Sequence, residues 1–455
     1  MSNSIVRTDK WYLSPSPEVK EYLEMTIREY RRFCRALSYV VMGHWRQIAE
    51  SSSRCKTIEK LIHKTAKNPN PKYKYFQNNF YKFPSYLRRA AIEFVCGQVS
   101  SYLSRYRDWQ DGRRNRRDAR SLLFNPDAGC YPSLYKGNSI KYDINFDNAE
   151  IKVWNGRDWV WVKVPIKTKR NRHLLGHSQQ LSPQLIVKNK SVHLSVPFNL
   201  KPEKLEGEKV CAIDIGINTL ATASIVTKSG TVTARKFFHP AADIDRRDKH
   251  WLLVSRKARL TKKLHRGFAK DNYRKARQIN VNITHQISRK IVNFAINNGA
   301  SVIVFEQLKG WRPTGGKKRS SLRQRFHGWL HRRLVLLTEQ KFQEVGGKIE
   351  KVYARGTSSW AYDGSGKVKR NKSNYSEATF ASGKQYNADL SASYNIAARY
   401  IAYKLKLTRR NDGRLSGGKS SSDKQRMPAT LSVLWDKDAP HECDRIMSGS
   451  IHLKY

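Results

Sequence analysis

Apolar positions in the first hundred residues recur at steps of three and four. Leu23, Ile27, Tyr30, Cys34, Leu37 and Val41 make one stripe, which is the pattern of an amphipathic helix. Ser16-Pro17-Glu18 offers a cap, a first-turn proline and an early acid, so this helix is predicted to start there and run to about Trp45. A second helix is predicted from Pro84 through Leu87, Ala91, Val95 and Tyr102 towards Trp109. Lys10-Trp-Tyr-Leu13 reads as a short strand ahead of both. From about residue 121 the period falls to two. Ile140, Tyr142, Ile144 and Phe146 alternate with polar residues, as do Val160, Val162 and Val164. Asn155-Gly156 between alternating runs is a strong hairpin signal, because both residues tolerate positive φ. Residues 184–187 and 191–196 form a further pair that turns at Asn189-Lys190.

The third region mixes both periods. Apolar runs at 210–224 and 231–238 flank Ser229-Gly230, a second hairpin signal. A basic helical segment follows, with Arg246, Arg247, Lys249, Arg256, Lys257, Arg259, Lys262, Lys263 and Arg266 around Leu253, Leu260 and Leu264. It reads either as a helix lying on a nucleic-acid duplex or as a solvated face. A helix over 277–298, closed by Gly299, feeds a strand that ends on Glu306, and this alternation predicts an α/β layer. A basic loop at 311–321, a helix over 325–345 and a strand at 348–353 come next. The pattern divides the chain into a strand at 1–13, a helical module at 14–120, an antiparallel β-barrel or sandwich at 121–205 and an α/β domain at 206–405. The polar stretch 406–455 is expected to be disordered. The fold class is multidomain α+β.

Charge changes the picture. Among 455 residues, 87 are Lys or Arg against 37 Asp or Glu, for a net charge of +50 and a pI near 10.2. A small-metabolite enzyme needs no such excess, whereas a polyphosphate partner releases counterions to it. Tyr75, Arg88, Arg89, Arg256 and Lys263 are candidate nucleic-acid contacts. The aromatic stretch around Tyr75 (Lys74-Tyr-Phe-Gln-Asn-Asn-Phe-Tyr-Lys82) fits stacking on bases and an aromatic core corner equally. Trp154, Trp159 and Trp161 read as packing or rim residues. The six cysteines form no Cys-x-x-Cys pair, no apolar run reaches the roughly 18 residues of a membrane span, and the N-terminus lacks a secretion-signal pattern. A reducing cytoplasm or nucleoid is therefore expected.

Against this basic background three carboxylates sit in apolar surroundings. Asp214 lies in Cys211-Ala-Ile-Asp-Ile-Gly-Ile-Asn-Thr-Leu-Ala221, Glu306 ends Ser301-Val-Ile-Val-Phe-Glu306, and Asp389 opens an alanine-rich helix in Tyr386-Asn-Ala-Asp-Leu-Ser-Ala-Ser-Tyr-Asn-Ile-Ala-Ala398. An unpaired buried charge is costly, and bound cations would remove the cost. Two divalent ions are the usual means of hydrolysing a phosphodiester, and they take oxygen ligands from several segments. Hard oxygen donors favour Mg²⁺, with Mn²⁺ as substitute. Gly413-Arg-Leu-Ser-Gly-Gly-Lys-Ser420 has the letters of a P-loop without the strand before it or the helix after it.

These three stretches resemble the split RuvC motifs of the TnpB family of transposon-encoded nucleases and the related small type V CRISPR effectors. The order of helical, β and α/β regions is similar too, over roughly residues 10–405. The resemblance implies a recognition module, a wedge module and an RNase H-like domain. It also implies a guide RNA, target double-stranded DNA cleaved beside a short flanking motif, and Asp214, Glu306 and Asp389 as catalytic metal ligands. The family usually carries a zinc ribbon ahead of the last motif. Here, within the altered ribbon region 356–385, Trp360, Asp363, Thr379 and Ser382 stand where thiolates would be, so no zinc is expected. Packing of Trp360 and Phe380 in place of a metal, and a loop mobile until substrate binds, both fit. Arg355 reads as a phosphate contact or a surface Arg. A monomer is expected. Guide-directed binding without cleavage and guide-independent cutting of branched DNA are the rival functions.

Overall fold

The computed structural model describes residues 4–119, 129–168, 178–188, 191–216, 219–262, 264–265, 267–308, 330–371, 373–405, 407–409, 415–417 and 430–435. The chain forms two compact units, Met1–Lys201 and Pro202–Tyr455.

In the first unit β1 (Ile5–Leu13) leads into α1 (Pro17–Gly43), then short helices α2 (Trp45–Glu50), α3 (Arg54–Ile62) and α4 (Tyr75–Asn79), and the long α5 (Ser85–Gln110). α1 begins as predicted: Ser16 Oγ accepts from the Val19 amide at 3.3 Å, with Pro17 in the first turn. Strands β2 (Ile140–Tyr142), β3 (Asn148–Trp154), β4 (Trp159–Thr168), β5 (Gln179–Gln180), β6 (Gln184–Lys188) and β7 (Ser191–Leu200) join β1 in an antiparallel sheet of order β2-β3-β4-β1-β7-β5, with β6 also on β7. The helices and the sheet, expected as separate modules, close around one hydrophobic core that includes Trp11, Leu23, Phe33, Val95, Ile151 and Phe198.

Two local readings change. The alternating run beyond Tyr142 is a turn, not strand: the Asp143 carboxylate accepts from the Asp147 amide at 2.7 Å and the Asn148 side chain at 2.8 Å, and Ile144 is exposed. An Asx turn competes locally with the ladder, and here it wins. The aromatic stretch divides by position. Phe76, Phe80 and Phe83 gather around Phe33, with Phe83 stacked on it at 4.3 Å, whereas Tyr75 and Tyr81 are exposed.

The second unit holds β8 (Lys209–Asp214), β9 (Ala221–Val226), β10 (Val232–Phe238), β11 (Ala300–Gln307) and β12 (Lys348–Tyr353) in the order β10-β9-β8-β11-β12. β8, β11 and β12 run parallel, and β9 and β10 complete an antiparallel meander. The apolar run 210–224 is thus two strands. Asp214 ends the first, and a Cβ at Gly216 would lie 2.6 Å from the Thr219 carbonyl oxygen, so the chain turns where only glycine fits. Helices α6 (Ala241–Thr261), α7 (Lys270–Asn297), α8 (His331–Gln343) and α9 (Ala388–Lys404) complete the layer. α7 and α8 cover one sheet face and α9 the other.

Region 356–385 carries β13 (Lys369–Arg370) and β14 (Glu377–Thr379), and β15 (Gln385–Asn387) closes a small antiparallel sheet with them. The expectation of a disordered 406–455 is corrected in two places. β16 (Leu407–Arg409) pairs antiparallel with β17 (Leu415–Gly417). Residues 430–435 are docked, with Leu431, Val433 and Leu434 buried, because this short apolar run is an exception within a polar tail. Among the described residues no helix is long and apolar enough to cross a membrane.

Candidate active site

Strand alternation explains why the two strand carboxylates share a face. Side chains alternate along a strand. Cys211 and Ile213 of β8 pack with α7 and α8, while Val210 and Ala212 pack with α9; Asp214 continues the second series. In β11, Ile303 and Phe305 face α7 and α8 and Val304 faces α9, so Glu306 also falls on the α9 side. β8 and β11 are parallel neighbours with Phe305 opposite Ile213, which brings Glu306 alongside Asp214. α9 supplies the third carboxylate in its first turn. Asn387 is its cap, the side-chain oxygen accepting from the Asp389 and Leu390 amides at 3.1 and 3.0 Å.

Electrostatics show that the three groups feel one another. Burial, then the charges of Glu306 and Asp389, hold Asp214 well above the usual carboxylate range, against the opposing pull of Arg370 and a hydrogen bond from the Ile215 amide. Glu306 is also raised, by burial, opposed by the Thr357 hydroxyl and Arg399. Asp389 is raised by burial and opposed by Arg370. The charges of both other carboxylates reach Asp214. Each side chain remains partly open to solvent, which leaves access for a ligand.

The trio does not stand assembled as a ligand cage. Among the described residues no three His, Cys, Asp or Glu side chains are set to hold a metal ion. Like charges crowded in low dielectric repel, and each carboxylate has a partner outside the trio. Glu306 accepts a hydrogen bond from Thr357 Oγ1 and lies near Arg399, while Asp389 is attracted towards Arg370. The donor chemistry, three carboxylates from three segments, fits a hard divalent cation; the spacing requires the side chains to draw in around it.

Four surrounding residues escaped the sequence reading. Thr357 is fully buried, and its backbone carbonyl accepts from the Asn395 side chain at 3.0 Å; the same amide donates to the Trp360 carbonyl at 2.8 Å. Arg399, one turn further along α9, donates to the carbonyls of Tyr353 and Arg355. Arg370 is held by the carbonyls of Ser358 and Tyr375 at 3.2 and 3.1 Å and stacks over the Tyr375 ring. Asn395 carried a signal: an amide inside an otherwise apolar helix run needs partners. Thr357, Arg370 and Arg399 look like any surface residue in sequence.

The remaining candidates separate. Tyr75, Arg89, Arg256 and Arg355 are exposed. Lys263 lies outside the described residues. Arg88 is corrected: it is buried, with Nε 3.1 Å from Glu59 Oε1. It sits four residues before Ile92 on the apolar stripe of α5, so helix phase turns it inward. Trp159 packs on Phe83, and Trp161 is the more exposed tryptophan. In region 356–385 two of the positions expected for thiolates, Asp363 and Ser382, meet as a hydrogen bond at 3.3 Å. Phe380 packs with Tyr362 and Tyr386, and Tyr362, not Trp360, is the ring at its side.

A family model described as the Aq_aa04 family matches residues 7–155. No curated protein matches the chain. Among solved structures the chain is similar to a Cas12f1–sgRNA–target DNA complex, at 11% identity over 79% of this chain and 91% of that one with a TM-score of 0.44. It is similar to the mini-RNA-guided endonuclease CRISPR-Cas_phi3, at 11% identity over 88% and 92% with a TM-score of 0.46. It is also similar to Alicyclobacillus acidoterrestris C2c1 in complex with single-guide RNA, at 10% identity over 90% and 73% with a TM-score of 0.40. At these identities and TM-scores the likeness carries no residue-level argument, and the site rests on its own geometry.

Proposed function

We propose that this chain is an RNA-guided DNA endonuclease of the RuvC type, in which Asp214, Glu306 and Asp389 hold Mg²⁺, with Mn²⁺ as substitute. The observation that carries the reading is the convergence of three desolvated, mutually repelling carboxylates on one end of a sheet, in a chain of net charge +50. Titratable groups crowded this way are characteristic of functional sites. The sheet order, three antiparallel strands extended by two parallel ones, is also that expected of an RNase H-like domain.

Each residue has a distinct part. Asp214, at the end of β8 alongside Glu306 of β11, is the shared ligand. Thr357 and Arg399 orient Glu306, and Asn387 fixes Asp389 through its helix cap. Bound Mg²⁺ supplies charge neutralisation at the phosphoryl group and a nucleophilic water at neutral pH. Guide RNA and target DNA are the polyanions for the basic surface, with Tyr75, Arg89, Arg256 and Arg355 among the contacts; base pairing reads the sequence and protein reads the flanking motif. Region 356–385 needs no zinc in this reading, because Asp363, Ser382 and the rings around Phe380 hold it.

A second reading, guide-directed binding without cleavage, is favoured by one observation, the trio's unassembled state. One experiment separates the two. RNA co-purified with the protein is sequenced, and matched DNA bearing randomised flanks is incubated with the complex in Mg²⁺. Cleavage lost in Asp214→Ala supports the endonuclease; tight binding of matched DNA without any cleavage by wild type supports the binder. Cutting that persists unchanged after the RNA is removed contradicts both.

A further inference from the structure

The docked segment 430–435 follows a polar tail and has no part in the trio, yet its contacts lead back to it. The Ser432 amide donates to the Tyr362 carbonyl at 3.0 Å, and the Trp435 indole N–H donates to the Gly230 carbonyl at 3.1 Å. One end of the segment therefore grips region 356–385 and the other grips the β9–β10 turn. The fit is close at both grips. Gly364 has no room for a Cβ beside Ser432 Oγ, and a Cβ on Gly230 would lie 2.9 Å from Trp435 Cδ1 and 3.0 Å from Leu434 Cβ. Leu431 and Leu434 sink into the apolar layer beneath α9, beside Tyr394 and Ile401.

Tyr362 is the relay. Its ring meets Trp435 edge-on at 6.2 Å, and on its other sides meets Phe380 at 5.6 Å, Tyr386 at 5.1 Å and Tyr394 at 5.2 Å. Tyr386 directly precedes the α9 cap Asn387, and its hydroxyl lies 3.0 Å from the Tyr394 hydroxyl. Thr357 and Ser358, which hold Glu306 and Arg370, are on the same short stretch as Tyr362. Small sheets such as β13-β14-β15 are marginal alone, so a staple from outside has a clear use.

We propose that residues 430–435 are a strap that fixes region 356–385 against the sheet, and that Trp435 and Tyr362 are positioning residues for Asp389 and Glu306. The strap stands on packing alone; its bearing on the carboxylates rests on the nuclease reading above. It occupies the role that a metal staple has elsewhere in such hairpins, using two buried leucines and the half-exposed Trp435 ring in place of thiolates.

The test uses the full-length chain, wild type and three variants: Trp435→Ala, Trp435→Phe and the double change Leu431→Ser with Leu434→Ser. Amide hydrogen exchange is followed without metal, so the outcome does not depend on catalysis. The strap predicts that the Ser432 amide is protected in wild type. It also predicts that Trp435→Ala and the double variant speed exchange roughly tenfold or more across 357–364 and 377–387, with β8 and β11 unchanged. Trp435→Phe, which keeps an aromatic ring but loses the N–H and part of the indole's packing area, should retain part of the protection. Where cleavage is measurable, Trp435→Ala should lower kcat and leave KM for matched DNA within about twofold, as expected when binding is not the step affected. Free exchange at Ser432, or unaltered exchange at 357–364 in both disruptive variants, would overturn the strap. Protection lost with kcat intact would overturn the positioning role, and no cleavage by wild type would refute the nuclease reading without touching the strap.

Discussion

Two desolvated charged groups, one in each unit, are treated in opposite ways. Arg88 of the first unit is inside and matched: Glu59 lies 3.1 Å away and the Phe83 carbonyl is within reach. Asp214 of the second is desolvated beside two further carboxylates, and the nearest opposing charge it senses, Arg370, does not bring it back to the ordinary range. A matched charge needs nothing more from solution. A like-charged cluster is a stored instability that a cation would relieve, and this difference is what marks one as structural and the other as a site.

The largest expected effect is on chemistry. Asp214→Ala should reduce cleavage of guide-matched DNA by about three orders of magnitude or more, with RNA affinity unchanged or slightly higher, as checked by single-turnover cleavage and filter binding. Arg88→Ala should do the reverse. Losing the pair and the packed Arg88 stem, with Glu59 one-third exposed and still solvated, should cost about 1–2 kcal/mol of stability, read by denaturant unfolding, with cleavage by the folded protein unaltered.

A smaller effect has a definite sign. The folded-state pKa values of Asp214, Glu306 and Asp389 lie above their ordinary values. Between the unfolded and folded values the native state therefore holds more protons, and stability falls as pH rises through that window. In metal-free protein, Asp214→Asn should raise Tm by roughly 2–4 °C at pH 8, equivalent to about 1 kcal/mol, and by less as pH is lowered into the carboxylate range. A thermal melt in which this variant is less stable at pH 8 would break the contrast with Arg88. The smallest effect concerns the surface. Arg89→Ala and Arg256→Ala should each lower the salt slope of RNA binding by about 1, while any folded Arg88 variant should leave the slope alone.

Much of this was legible in the sequence where one rule dominated. α1 announced itself through Ser16, Pro17 and a single apolar stripe, and the Asn155-Gly156 hairpin through its turn chemistry; in the structure Asn155 Oδ1 accepts from the amides of Arg157 and Asp158. The carboxylates stood out because charge ended apolar runs. What stayed hidden depended on tertiary partners. Arg88 resembled its exposed neighbour Arg89 until the phase of α5 was fixed. The run through Ile144 alternated correctly but lost to the Asp143 turn. Thr357, Arg370 and Arg399 approach the carboxylates only once region 356–385 folds over α9, and residues 430–435 are four apolar side chains in a tail whose composition otherwise argues against order.

The account's central claim is that Asp214, Glu306 and Asp389 act as one cation site, and Mn²⁺ binding followed by electron paramagnetic resonance on protein stripped of nucleic acid tests it most directly. The account predicts saturable binding in wild type that is weakened at least tenfold by each of Asp214→Asn, Glu306→Gln and Asp389→Asn, with Asp214→Asn the most severe. Binding of equal strength in wild type and all three variants would contradict it.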